Sequence, residues 1–243
     1  MDIVDPDQIE VAAFGKFRHI AIEQDDAQPC LFAAETNQLI LDRCKKAGLR
    51  IVLLDRDVTE FPERSNLDLV GIDNVHAAFL LTNHLLDQGC QSVIFLSRPG
   101  SASTIKFRTQ GFQSALVQRK IFPEQHMIQT VAPGDKDAVA TIMNRKPDGI
   151  VCANDATAAE LLQTLDQLKV NVPGDVRLAG FDDVKYSRLL SPPLTTVRQP
   201  CARIAAVALD AMSMRLEKPG LPARSIRLNG ELIVRESTVN SER

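Results

Sequence analysis

Short apolar runs alternate along the chain with longer stretches in which apolar positions recur every three or four residues. The runs are Cys30–Ala33, Ile51–Leu54, Leu69–Ile72, Val93–Leu96, Met127–Val131, Gly149–Cys152 and Val176–Gly180. Near-continuous apolar runs this short predict strands buried on both faces. The periodic stretches predict helices from near Asp73 to Gly89, from Ser103 to Arg119 and from Asp155 to Lys169. In the third of these, Ala158, Leu161, Leu162, Leu165 and Leu168 fall on one face. Gly89 is a good residue for the left-handed position just past a helix end. Strands alternating with helices predict an α/β fold with parallel sheets covered on both faces. The linker-like pieces are short: "SRPGSAS", "SPPLTT" and "EKPGLPAR".

This order gives certain polar residues a place. In open parallel sheets, ligands bind beyond the carboxyl ends of the strands. Asp73–Asn74 follow "LVGI", Asn154–Asp155 follow "GIVCA", and Asp182–Asp183 follow "VRLAGF". The loop after "VIFL" carries Arg98 and leads to Lys106 and Arg108. Carboxylates accept from sugar hydroxyls, amides both donate and accept, and a guanidinium donates as a planar fork. A small polyhydroxylated ligand suits such a set. Each residue has a plainer reading as well. Asn74 and Asp155 stand where a helix cap is expected, and Arg108 lies within an amphipathic helix whose polar residues face water by default. Adjacent Asp182 and Asp183 point apart, so they make no acid/base dyad by themselves.

Composition removes several function classes. The chain has 243 residues, 28 Lys and Arg against 31 Asp and Glu, and a net charge of −3. A nucleic-acid surface brings a basic excess, and this chain has none, so it is not expected to grip DNA unaided. Its five cysteines, Cys30, Cys44, Cys90, Cys152 and Cys201, form no C-x-x-C pair and read as reduced thiols. The four histidines lack metal spacing. There is no G-x-S-x-G, no phosphate loop, no H-E-x-x-H and no G-x-G-x-x-G. Binding is therefore favoured over catalysis, with no cofactor and no metal implied. No apolar run approaches the roughly 20 residues of a membrane span, and "MDIVDPDQIE" holds no signal-peptide core. A cytoplasmic protein with no membrane partner is expected.

Five separated segments carry a resemblance. "VGIDNVHAAFLLTNHLLDQGCQSVIFLSRPG", "KFRTQGFQSAL", "DGIVCANDATAAELL", "VPGDVRLAGFDDVKYSRLLSPPLTTVRQP" and "ELIVREST" follow in the order seen in the lactose-repressor (LacI/GalR) family of transcription regulators. The resemblance runs from about Cys30 to Thr238 and covers the effector-binding region, which is similar to periplasmic sugar-binding proteins. It implies two Rossmann-like subdomains with an effector cleft between them. It assigns Arg108, Asn154 and Asp182 to the effector, Asp73 to the other side of the cleft, and Arg98 and Lys106 as secondary contacts. Asp155 keeps the helix-cap reading. The implied partners are a small-molecule effector, a sugar, and a second copy in a homodimer.

The resemblance also marks departures. The family's helix-turn-helix and hinge helix are not found among these residues, so operator DNA would be read only through a segment missing from this chain. The first strand and helix of the amino-terminal subdomain are absent too, and "DIVDPDQIEVAAF" reads as the start of its second helix. The chain thus reads as a fragment, a truncated gene product or a decayed regulator, whose amino-terminal sheet is expected to have an open edge. The expected map is 1–96 plus 197–228 for the amino-terminal subdomain and 97–196 plus 229–239 for the other. A stand-alone sugar-binding protein of a transport system and an enzyme on a doubly wound fold are the competing readings.

Overall fold

The computed structural model describes residues 19–22, 30–33, 42, 46, 48–57, 66–100 and 102–239. The chain forms two compact units. The first is Met1–Ile72 with Pro200–Leu228, and the second is Asp73–Gln199 with Asn229–Arg243.

The first unit holds a five-stranded sheet in the order β1-β2-β3-β4-β10. Its strands are β1 (His19–Ile22), β2 (Cys30–Ala33), β3 (Arg50–Leu54), β4 (Asp68–Ile72) and β10 (Ser225–Leu228). The sheet is parallel except at one margin, where β1 runs antiparallel to β2 with His19 opposite Ala33. The open edge expected beside Cys30–Ala33 is therefore hydrogen-bonded, by a strand whose short "HIAI" run has no periodic neighbour to announce it. The segment read as the start of a second helix lies outside the described residues. One face of the sheet is covered by α5 (Cys201–Glu217), whose Ile204, Ala208, Ala211 and Met212 pack on Val52 and Val70.

The second unit holds a parallel four-stranded sheet, β6-β5-β7-β8, and a two-stranded antiparallel pair, β9 with β11. The strands are β5 (Val93–Ser97), β6 (Ile128–Thr130), β7 (Gly149–Cys152), β8 (Arg177–Ala179), β9 (Thr196–Arg198) and β11 (Glu231–Ile233). Every residue of β5 and β7 is buried, which is why both read as unbroken apolar runs. The helices are α1 (Asn74–Asp87), α2 (Ser103–Gln118), α3 (Lys136–Met143) and α4 (Asp155–Gln167). One core joins Ile94, Leu96, Ile150 and Leu178 to Val139, Ile142, Leu161 and Leu165 of α3 and α4. Helix α1 ends as expected at Gly89, φ +90°, where the Cys90 N–H reaches the Leu85 carbonyl and the Gly89 N–H reaches Leu86. Gly111 lets α2 press on α1, since a Cβ there would run into the Val75 carbonyl.

Two expectations need correction, and one element was not foreseen. The division falls at Ile72/Asp73 and Gln199/Pro200, not at 96/97 and 196/197. The reason is α1: its buried Ala77, Ala78, Leu81 and Leu85 serve a helix that packs against α2, β5 and β7. The strand expected at Met127–Val131 is only Ile128–Thr130, because Gln125–Met127 form a 3₁₀ turn. The short helix α3 was not foreseen; Asp135 caps it by accepting from the Ala138 N–H at 3.1 Å.

Asp68 fastens β4 to the end of α5. Its buried carboxylate accepts from Arg215 Nε at 3.1 Å, the Arg224 N–H at 2.8 Å and Arg224 Nη2 at 3.2 Å. Burial alone would raise its pKa, but the hydrogen bonds from Arg224 and Arg215 outweigh this and hold it below the usual 3.8. A depressed folded pKa gives stability that is full above the ordinary value and is lost as pH falls through the folded one. We expect Asp68→Asn to destabilise the chain by about 3 kcal/mol at pH 7, with the gap to wild type closing below about pH 4. Urea unfolding of both proteins across pH checks this, and a gap independent of pH would refute it.

Candidate functional site

The carboxyl ends of β7 and β8 and the second turn of α2 meet around Arg108. This side chain is buried, with 4% of the residue exposed. Its Nε donates to Asn74 Oδ1 at 2.8 Å and its Nη1 to the Ala153 carbonyl at 2.5 Å. Its Nη2 stands 3.6 Å from Asp182 Oδ1, an ion pair longer than a hydrogen bond. The guanidinium carbon lies 3.5 Å from the centroid of the Phe181 ring, a cation–π contact strengthened by desolvation. The polar face that the amphipathic pattern assigned to water is, at Arg108, turned inward. These four neighbours come from three elements: Asn74 from α1, Ala153 from the end of β7, and Phe181 and Asp182 from the end of β8.

Asp182 is the more open partner, with 30% of its side chain exposed. Its Oδ1 also accepts from Gln199 Nε2 at 2.7 Å. A half-open carboxylate beside a buried guanidinium and an aromatic face can take a ligand's hydroxyls on one side and its apolar face on the other. Burial, followed by the charges of Asp155 and Asp182, pushes the Tyr186 phenol up, so Tyr186 stands within the electrostatic reach of this group.

The caps are the reverse of expectation. Asn154, not Asp155, caps α4, its Oδ1 accepting from the Thr157 N–H at 2.8 Å. Asp73, not Asn74, caps α1, accepting from the His76 N–H at 3.0 Å. Asn and Asp are about equally good caps, so adjacent candidates cannot be ordered from sequence. Asp155 is wholly buried. It accepts from the Val184 N–H at 3.0 Å, Ser187 Oγ at 2.5 Å and Thr196 Oγ1 at 2.7 Å. Gly180 leaves room for it, since a Cβ at that position would run into the Asp155 carboxylate.

Of the residues singled out from sequence, the structure brings Arg108 and Asp182 together and puts Asn154 next to the Ala153 carbonyl that Arg108 holds. Asp73 belongs to the same unit as Arg108 and serves as a cap. Arg98 pairs with Glu160 and reaches the Ala156 carbonyl at 3.4 Å, while Lys106 lies exposed on α2. Sequence reading missed Phe181, Gln199 and Tyr186 and misjudged Asn74. The aromatic before the Asp pair was the available signal for Phe181; nothing local marked Gln199.

Comparison with known proteins follows the same lines. The sequence profile of the periplasmic binding protein-like domain matches residues 82–238. A solved LacI-family regulator from Sanguibacter keddieii is 30% identical, covering 78% of this chain and 72% of that one, with a TM-score of 0.64. The chain belongs to the LacI family and carries its periplasmic binding protein-like domain. Among curated relatives, the repressor PurR of Photobacterium profundum is 27% identical over 85% of this chain and 63% of its own length. The chain spans 54–63% of the length of the first relatives it matches. A LacI-family regulator from Enterococcus faecalis solved with bound ribose shares the fold, with 24% identity, a TM-score of 0.71, and 90% and 80% of the two chains covered.

For this LacI-family chain, the two neighbours Asn154 and Asp155 should separate cleanly in stability. Asn154→Ala removes one cap, about 1 kcal/mol. Asp155→Ala removes the shared acceptor of three donors and empties a fully buried position, about 3 kcal/mol. Melting curves of both variants test the ordering; a larger drop for Asn154→Ala would overturn the assignment.

Proposed function

We propose that this chain is the effector-sensing part of a LacI-family transcription regulator, and that its effector is a small sugar or similarly hydroxylated molecule recognised at Arg108 and Asp182. One observation carries the reading: a buried guanidinium, stacked on Phe181, is paired to a carboxylate that remains partly open at the carboxyl end of a parallel sheet. Asn154 adds an amide whose oxygen is spent on the cap, so its NH₂ is the half offered to a ligand. Asp73, Arg98 and Lys106 would act at the margin. The ribose-bound Enterococcus faecalis regulator supports the sugar class, and relatives named as repressors support regulation rather than turnover.

In this reading the chain works as a homodimer in the cytoplasm. Operator DNA would be contacted only through a helix-turn-helix, which is not found among the described residues. Among the described residues, no helix is long and apolar enough to cross a membrane.

Calorimetric titration with pentoses, hexoses and purine bases tests the reading. A sugar should bind, and Asp182→Ala should weaken it by about 1.5–3 kcal/mol through lost charge-assisted bonds. That corresponds to roughly 10- to 150-fold in Kd. Binding of purine bases alone would overturn the sugar class, and binding unaffected by Asp182→Ala would overturn the site.

A further inference from the structure

Two adjacent aspartates at the end of β8 do different work. Asp182 faces Arg108 and Gln199. Asp183 meets a different pair of partners. Its Oδ2 accepts from Arg198 Nε at 2.7 Å, on β9, and its Oδ1 from Arg235 Nη2 at 2.6 Å, just beyond β11. Both residues have positive φ, +118° at Asp182 and +51° at Asp183. The second value is one that Asp tolerates. The first lies where glycine is the usual occupant. A non-glycine residue persists there only when its surroundings over-determine the backbone.

The surroundings do so. The Asp182 N–H donates to the Val197 carbonyl at 2.9 Å, and the Asp183 N–H to Thr196 Oγ1 at 3.3 Å. That hydroxyl in turn donates to the buried Asp155 at 2.7 Å, and Asp155 also takes the Val184 N–H. Arg235 is itself fixed, its N–H donating to Thr195 Oγ1 at 2.8 Å and its Nη1 to the Leu194 carbonyl at 2.7 Å. Arg198 reaches Glu231 on β11 as well, at 3.3 Å. The Asp183 side chain is only 9% exposed. Burial would raise its carboxyl, but the Arg235 and Arg198 guanidiniums outweigh that and hold it low.

We propose that Asp183 is a positioning residue: clamped between Arg198 and Arg235, it holds the strained turn that aims Asp182 at the effector. The sequence keeps a side chain at Asp182, where glycine would relax the backbone, because the carboxylate is needed. The neighbouring carboxylate keeps that backbone in place. This inference rests on the effector reading above for its purpose, and on the turn geometry alone for its mechanics.

The test uses the purified chain with Asp183→Asn and, as a milder lesion, Arg198→Gln. Hydrogen exchange comes first and needs no ligand. Both variants should speed exchange of the Asp182, Asp183 and Val184 amides at least about 10-fold while leaving Gly149–Cys152 unchanged. Titration with ribose and the sugar panel comes second, as a double-mutant cycle with Asp182→Asn. Asp183→Asn should weaken binding about 10-fold or more in the wild-type background and less than about twofold once Asp182 is Asn. Unchanged exchange at the turn overturns the clamp. Equal affinity losses in both backgrounds overturn its action through Asp182. If wild type binds no sugar, the effector reading falls, and the exchange result still decides the clamp. If Asp183→Asn does not fold, Arg198→Gln carries both measurements.

Discussion

A guanidinium is charged at every accessible pH, and Arg108 keeps almost none of its surface in water. Burying such a group unpaired costs several kcal/mol, so everything around it is arranged to meet its donors. Asn74 supplies one acceptor and Ala153 another, Asp182 supplies the countercharge, and Phe181 supplies a π face. These come from α1, the end of β7 and the end of β8. Satisfying one side chain thereby fixes three elements relative to one another. It also leaves the least enclosed acceptor, Asp182, as the member with most to gain from a ligand.

A second layer supports the first. Asp155 sits beneath the same strand ends and collects donors from Val184, Ser187 and Thr196. The two layers differ in exposure rather than in chemistry. Asp182 presents part of its polar surface to the outside, while Asp155 spends its own on the protein. A buried carboxylate whose oxygens are all engaged is a scaffold, whatever its neighbours in sequence do.

How much of this could be read from the sequence depends on range. The β7–α4 and β8 segments were legible because burial on both faces leaves an unbroken apolar run, and that signal is local. Arg108 and Asp182 were singled out through their place at strand ends and a family resemblance, yet their pairing was not visible, since they lie 74 positions apart in the chain. The caps were inverted because Asn and Asp satisfy the same orphan N–H groups, and only the fold decides which of two neighbours turns inward. The unit boundary was misplaced because α1 follows β4 without a break in pattern. Which unit it joins is settled by its packing on α2, a tertiary fact. Strand β1 was missed because four residues carry too little periodicity to separate from loop.

Gly111 follows Arg108 by three residues on α2, so the two share a face. The backbone that Gly111 rests against belongs to Val75, which follows the Asn74 that Arg108 donates to. The absence of a single methyl group therefore sets how closely the two helices approach, and with it the reach of a charge–amide bond one turn away. At this point in the molecule, steric size and electrostatics are not separate properties. A change of volume at position 111 would be felt as a change of field around Arg108.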